Sequence, residues 1–219
     1  QAMINQIAAA WAARTTLLDV EALQRDGLPL HDPAQVHFYG ISQGHILGGT
    51  YVALSPHLER AVFSVGGANL AMMMFRARPF LQFIEVIELQ LPDPLDQQKL
   101  SALSQTSFDR IDPITWAPWV LEERLPATPE RRQILIQYGL GDAAVPHVAA
   151  ELHARVLGVP LLLPAPRAVP GLPAREGRLD SAAVQFDFGL PDPLPGTIAD
   201  PPRERNPVHE GVRRTEASV

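Results

Sequence analysis

Cysteine is absent from the 219 residues, which excludes disulfides, a thiolate nucleophile and thiolate metal sites while leaving the redox compartment open. Lysine occurs once, at Lys99, among 18 basic residues, a matter of composition that carries no functional message. No apolar run reaches the length of about eighteen residues that a membrane span needs. Basic residues form no cluster ahead of the arginine-containing tail and the net charge is −6, so nucleic acid is not an expected partner. The first residues read as neither a start nor a signal peptide. The chain opens Gln1-Ala2-Met3 and passes directly into Ile4, Ile7, Ala8, Trp11, Leu17, Leu18 and Leu23. That pattern predicts a helix over 4–23, and the chain is expected to begin partway through a fold. Apolar residues make up 46% of the sequence, ample for a packed core. The length suits one α/β domain or one piece of a larger protein.

What the sequence does have is Gly40-Ile41-Ser42-Gln43-Gly44. Val36-His37-Phe38-Tyr39 leads into it with strand character, and His45 to Leu54 leaves it with small and apolar residues at helical spacing. Strand, G-x-S-x-G, helix is the nucleophile elbow, in which a serine sits on a strained turn with its hydroxyl pushed into the open. A side chain at Gly40 or Gly44 is expected to collide where strand and helix approach each other. By composition alone the bare pattern arises about once in 3,000 positions. The correct flanks on both sides set it apart from an ordinary glycine-rich strand-helix turn.

Downstream, 60–65 reads as a buried strand ending at Gly66-Gly67. From Ala68 to about Thr128 no strand pattern survives. The segment holds Ala71-Met72-Met73-Met74-Phe75, then predicted helices over 80–91, 94–109 and 116–121. A helical insertion between two strands reads as a cap over the strand ends. A strand over 133–138 resumes the sheet, followed by a helix over 148–156, a short strand over 161–163, a loop over 164–178 and a strand over 182–188. Residues 191–207 read as irregular. The expected organisation is therefore a sheet core with the elbow over 1–67, a helical cap over 68–128 and the rest of the core over 129–219. Strands alternating with helices predict an α/β fold with a mostly parallel sheet and helices on both faces. Chemistry then belongs at the carboxyl ends of the strands, where Ser42 falls.

A serine hydroxyl needs a base to take its proton and a third group to orient that base. In the order serine, acid, histidine, Asp142 follows the strand over 133–138 through Gly139-Leu140-Gly141. The alternative for Asp142 is a helix cap or turn aspartate. Asp112 is its rival, and Asp187 lies too far along. His147, His153 and His209 all follow the acid. His147 and His153 share one helical run and read as helix-surface residues. His209, in Asn206-Pro207-Val208-His209-Glu210-Gly211, comes after the last strand and is the expected base, against the alternative of a tail histidine in solvent. No two histidines have the i, i+4 spacing of a metal site, and neither metal nor cofactor is expected.

Taken together, Phe38 to Gly44 resembles the elbow of α/β-hydrolases. Gly48 to Pro56, Leu91 to Asp96 and Gly141 to Arg155 resemble a group of large bacterial hydrolases similar to lipases and esterases. The resemblance runs over about 35–156 and resumes at His209-Glu210. It implies a partial α/β-hydrolase fold with Ser42 as nucleophile, Asp142 as acid and His209 as base. One departure is His45, where lipase-like elbows commonly carry glycine. Another is that the strands normally preceding the elbow are not in this sequence. The chain is therefore expected to be a carboxyl-terminal portion, with the amino-terminal part of the same polypeptide as its partner and supplier of a second oxyanion donor. A secreted or cell-envelope setting is the lean of the resemblance; the residues themselves leave the compartment open.

The implied reaction is acyl transfer from a carboxylic ester, among them lipid acyl esters, to water, with the Gln43 backbone N–H as one oxyanion contact. Met72, Met73, Met74 and Phe75 line an acyl pocket or pack the core, and His45 narrows the elbow or lines the same pocket. Two other classes stay open. One is a hydrolase-fold protein that binds or scaffolds without turnover. The other is an acyltransferase using the same triad.

Overall fold

The computed structural model describes residues 1–190 and 204–214. The expected irregular stretch 191–207 therefore lies outside the described residues up to 203. The chain begins with α1 (Ala2–Arg14) and a hairpin of β1 (Gln24–Arg25) and β2 (Leu28–Pro29), turned by Asp26 and Gly27, both at positive φ. Then come β3 (Phe38–Ile41), α2 (Gln43–Leu54) and β4 (Arg60–Ser64). Helices α3 (Leu70–Met74), α4 (Leu81–Gln90), α5 (Pro94–Phe108), α6 (Pro113–Trp116) and α7 (Pro118–Leu121) lie between β4 and β5 (Gln133–Gly139). The described chain ends with α8 (His147–Val156), β6 (Leu161–Leu162), β7 (Ala174–Arg175), β8 (Ala182–Phe186) and α9 (Val208–Gly211).

Six of these strands make one sheet in the order β3-β4-β5-β8-β6-β7, and every pairing in it is parallel. Ile41 pairs with Ser64, Ser64 with Gln137, and Gly139 with Phe186, so the strands end along one common edge. Alternation along the strands sends Ala61, Phe63, Ile134, Ile136 and Ala183 to one face, where they pack with Tyr51, Val52, Ala150 and Ala154 of α2 and α8. The opposite face is closed at its carboxyl end by α9, because Val208 sits where a side chain on Gly139 would have to go. Among the described residues β3 is paired on one side only, and its Tyr39 is 48% exposed.

Several elements depart from the sequence expectation for identifiable reasons. The first helix ends at Arg14, not Leu23: the β-branched pair Thr15-Thr16 leaves helical geometry, with the Thr15 hydroxyl bonded back to the Trp11 carbonyl, and short 3-10 turns follow. The elbow strand is Phe38–Ile41, two residues later than read, and its helix starts at Gln43, immediately after the serine. The helix expected over 116–121 is two short ones, because Pro118 begins a second helix and cannot continue the first. Their Ala117 and Val120 lie in the main core, so core packing resumes well before residue 128. The loop over 164–178 contains β7.

A buried arginine ties these pieces together. Arg132 donates to the carbonyls of Ser55, Leu58, Trp119 and Val120, joining the end of α2 to α7 at the entrance of β5. Burial and the nearby Arg124 lower its pKa to about 10, which leaves it charged at neutral pH.

Candidate active site

Ser42 sits between β3 and α2 with φ 55 and ψ −117, a conformation that ordinary residues avoid. Its N–H donates to Ser64 O at 2.9 Å, and its carbonyl accepts from His45 and Ile46, so the turn is fixed from both strands and helix. The side chain is half-buried and Gln43 is exposed. The Gln43 N–H belongs to the first turn of α2, where backbone donors have no partner within the helix. Gly40 behaves as read: a Cβ there would run into the Gly44 carbonyl, whose carbon is 2.7 Å away. Gly44 does not. Nothing lies within 4 Å of a Cβ built on it. The close approach is one-sided, and Gly44 lines a hollow of about 180 Å3 between α1 and α2.

The loop that carries Asp142 leaves β5 at Gly139. Asp142 is 2% exposed, and its Oδ1 accepts from the N–H groups of Ala144 and Val145 at 2.8 and 3.2 Å. Its Oδ2 lies 2.7 Å from His209 Nδ1. A carboxylate only accepts, so Nδ1 carries the proton and Nε2 keeps its lone pair. The His209 side chain is 17% exposed. Asp142 is thus both a turn aspartate and the partner of a histidine that stands 67 residues further along the chain.

His147 and His153 are not surface residues. His147, 7% exposed at the start of α8, accepts the Gly141 N–H on Nδ1 at 3.2 Å. Burial, helped by Arg167, lowers its pKa to about 4. His153 is fully buried and receives the Nε2–H of His45 on its own Nδ1 at 2.9 Å. The tautomers follow from Gly66, whose N–H donates to His45 Nδ1. His45 stacks on Phe63 at 5.1 Å between ring centroids. It therefore fills the space between α2 and β4, wholly buried, and is not among the residues that line the α3–α5 cleft with Met72 and Phe75. Burial holds both rings neutral, His45 well below the usual range and His153 at about 4.

The methionine run divides. Met73 is buried against Val145 and Ala149, whereas Met72 and Phe75 line a cleft of about 840 Å3 between α3 and α5. Met74 is half-buried and does not line it. Asp112, the rival acid, is wholly buried and accepts from the N–H groups of Asn69, Leu70 and Ile114 and from Gln105 Nε2. Its oxygens are committed to the base of α3 and α6. Two contributors escaped the sequence reading, His147 and Asn206, whose Nδ2 donates to Gly141 O at 2.8 Å. Asn206-Pro207 three residues ahead of His209 is a turn signal that pointed to the latter. Among the described residues, no group of three or more histidine, aspartate or glutamate side chains is placed to hold a metal ion, and no helix is long and apolar enough to cross a membrane.

An elbow after β3, an acid loop after β5 and a histidine turn after β8, along the carboxyl edge of a parallel sheet, define the α/β-hydrolase class of fold, here in part. No family model and no curated protein matches the chain. Among solved structures it is similar to a puromycin-hydrolyzing peptidase of Mycobacterium tuberculosis (18% identity, TM-score 0.42, 83% of this chain and 21% of that one). It is also similar to acetyl xylan esterase 1 of Thermoanaerobacterium sp. JW/SL YS485 (13%, TM-score 0.43, 88% and 50%) and to an acylaminoacyl peptidase of Pyrococcus horikoshii (15%, TM-score 0.42, 78% and 22%). The chain spans half or less of the length of these three proteins. At such scores the class stands on the chain's own topology.

Proposed function

We propose that this chain carries the triad of a serine hydrolase acting on carboxylic esters, lipid acyl esters among them. Ser42 attacks the ester carbonyl, His209 Nε2 takes the hydroxyl proton and returns it to the leaving alcohol, and Asp142 holds the imidazole in that tautomer. Water then releases the acyl group from Ser42 by the same route. The Gln43 N–H at the first turn of α2 is placed by this reading as one oxyanion donor. The observation that supports it best is the 2.7 Å contact between His209 Nδ1 and the buried Asp142, at the strand edge where Ser42 is held at φ 55. In this reading the insertion over 68–128 supplies the cap through α3 to α5 while its α6 and α7 pack with the core, and Met72 and Phe75 in the α3–α5 cleft face the acyl group. Missing upstream strands and a second oxyanion donor from an amino-terminal part of the same polypeptide belong to the same proposal.

A fluorophosphonate probe should label Ser42, and Ser42→Ala should abolish labelling with an unchanged circular dichroism spectrum. Labelling of the variant at the wild-type level would place the nucleophile elsewhere. Product analysis with added alcohols separates hydrolysis from acyl transfer.

A further inference from the structure

The Gly141 peptide is gripped from both ends, and each grip has a consequence for Asp142 beside it. Gly141 has φ +74, a left-handed conformation, and Leu190 covers its α-carbon, with a built Cβ only 3.0 Å from that side chain. On the amino side its N–H donates to His147 Nδ1. On the carboxyl side its carbonyl, part of the peptide that joins it to Asp142, accepts from Asn206 Nδ2 at 2.8 Å. Asn206 also accepts the Val208 N–H on Oδ1 at 3.3 Å. One side chain therefore holds the acid loop with its donor and the histidine turn with its acceptor. Since Asp142 Oδ1 is occupied by Ala144 and Val145, the direction of Oδ2 toward His209 depends on where this peptide plane lies.

We propose that Asn206 and His147 are positioning residues that clamp the Gly141 peptide and so aim the Asp142 carboxylate at His209. This rests on the assignment of Asp142 and His209 as the acid and base. The charged groups around the pair are Glu210 with Arg213 and Arg214 on the histidine's own turn, and Arg167 with Glu151 behind His147. All are kept in the variants below. Loosening the clamp moves the carboxylate, and a misplacement of about 1 Å is enough to cost up to a hundredfold in turnover.

The test uses p-nitrophenyl acetate turnover together with the NMR signal of the His209 Nδ1 proton in its bond to Asp142, assigned with His209→Gln. Asn206→Ala should lower kcat about ten- to a hundredfold with KM within about twofold. It should also move the His209 Nδ1 proton signal upfield, because the hydrogen bond to the Asp142 carboxylate lengthens. Asn206→Asp keeps the acceptor for Val208 but loses the donor, and should behave like the alanine variant while retaining the fold. His147→Ala should shift both readouts in the same direction, and His147→Asn, which keeps an acceptor at the δ position, should restore them. An unchanged His209 Nδ1 proton signal in Asn206→Asp, or equal losses in the two His147 variants, would overturn the clamp. If wild-type Ser42 takes no fluorophosphonate label, the hydrolase reading fails separately, and the Nδ1 proton signal still decides whether Asn206 controls the pair.

Discussion

At the elbow, two glycines that look equivalent in sequence have different duties. Gly40 lies under the Gly44 carbonyl, so any side chain forces strand and helix apart. Gly44 is outside the left-handed region and faces open space. Gly40→Ala should therefore cost about 1–3 kcal/mol, the usual range for overpacking. Gly44→Ala should be neutral or stabilise by up to about 1 kcal/mol through helix propensity. Urea midpoints of the two variants decide the matter, and equal losses would contradict the one-sided approach. The same contrast separates the carboxylates. Asp112 and Asp142 are both buried, yet only Asp142 leaves an oxygen to a histidine.

Among the elements, α7 and the start of β5 are tied to the end of α2 by Arg132, beside the apolar packing of Ala117 and Val120. Four carbonyls converge on one guanidinium, which lies at the ends of α2 and α7 where carbonyls lack helical partners. Arg132→Ala should destabilise by about 2–4 kcal/mol, since the buried acceptors are left unpaired. Arg132→Lys should recover only part of this, a single ammonium being unable to reach all four carbonyls. Thermal unfolding of both variants checks the order. Before the structure, this segment read as one cap helix over 116–121. Local pattern shows apolar residues, but whether they face a cleft or the core is set by what α2 presents to them.

Across the whole molecule, buried neutral histidines make stability depend on pH. His147 and His153 have folded pKa values of about 4, and His45 is lowered too. In the unfolded chain each titrates near 6.5. Between pH 6.5 and 4 the unfolded state binds protons that the folded state cannot, so stability falls as pH falls through that window and levels off below it. A depression of this size is worth about 3 kcal/mol per site, and two such sites approach the stability of an ordinary domain, about 5–15 kcal/mol. Urea unfolding followed by tryptophan fluorescence should show the midpoint dropping steeply from pH 6.5 toward 4. A midpoint flat across that range would mean the rings are protonated in the fold.

Chain order and local pattern were sufficient for the parallel α/β sheet and the strand-turn-helix at Ser42, while Asp142 and His209 were nominated by chain order and the family resemblance, and their contact across 67 residues came with the fold. The first two rest on short-range features: a strand feeding a glycine turn and a helix starting after it. The end of the first helix, the place of His45, and the duties of Asp112, His147, His153 and Asn206 came only with the tertiary structure. Burial and hydrogen-bond partners are set by elements far apart in the chain. His45 meets a ring 108 residues away, and Asn206 meets a carbonyl 65 residues away. No local window contains both ends of such a contact, so only the folded packing could assign them.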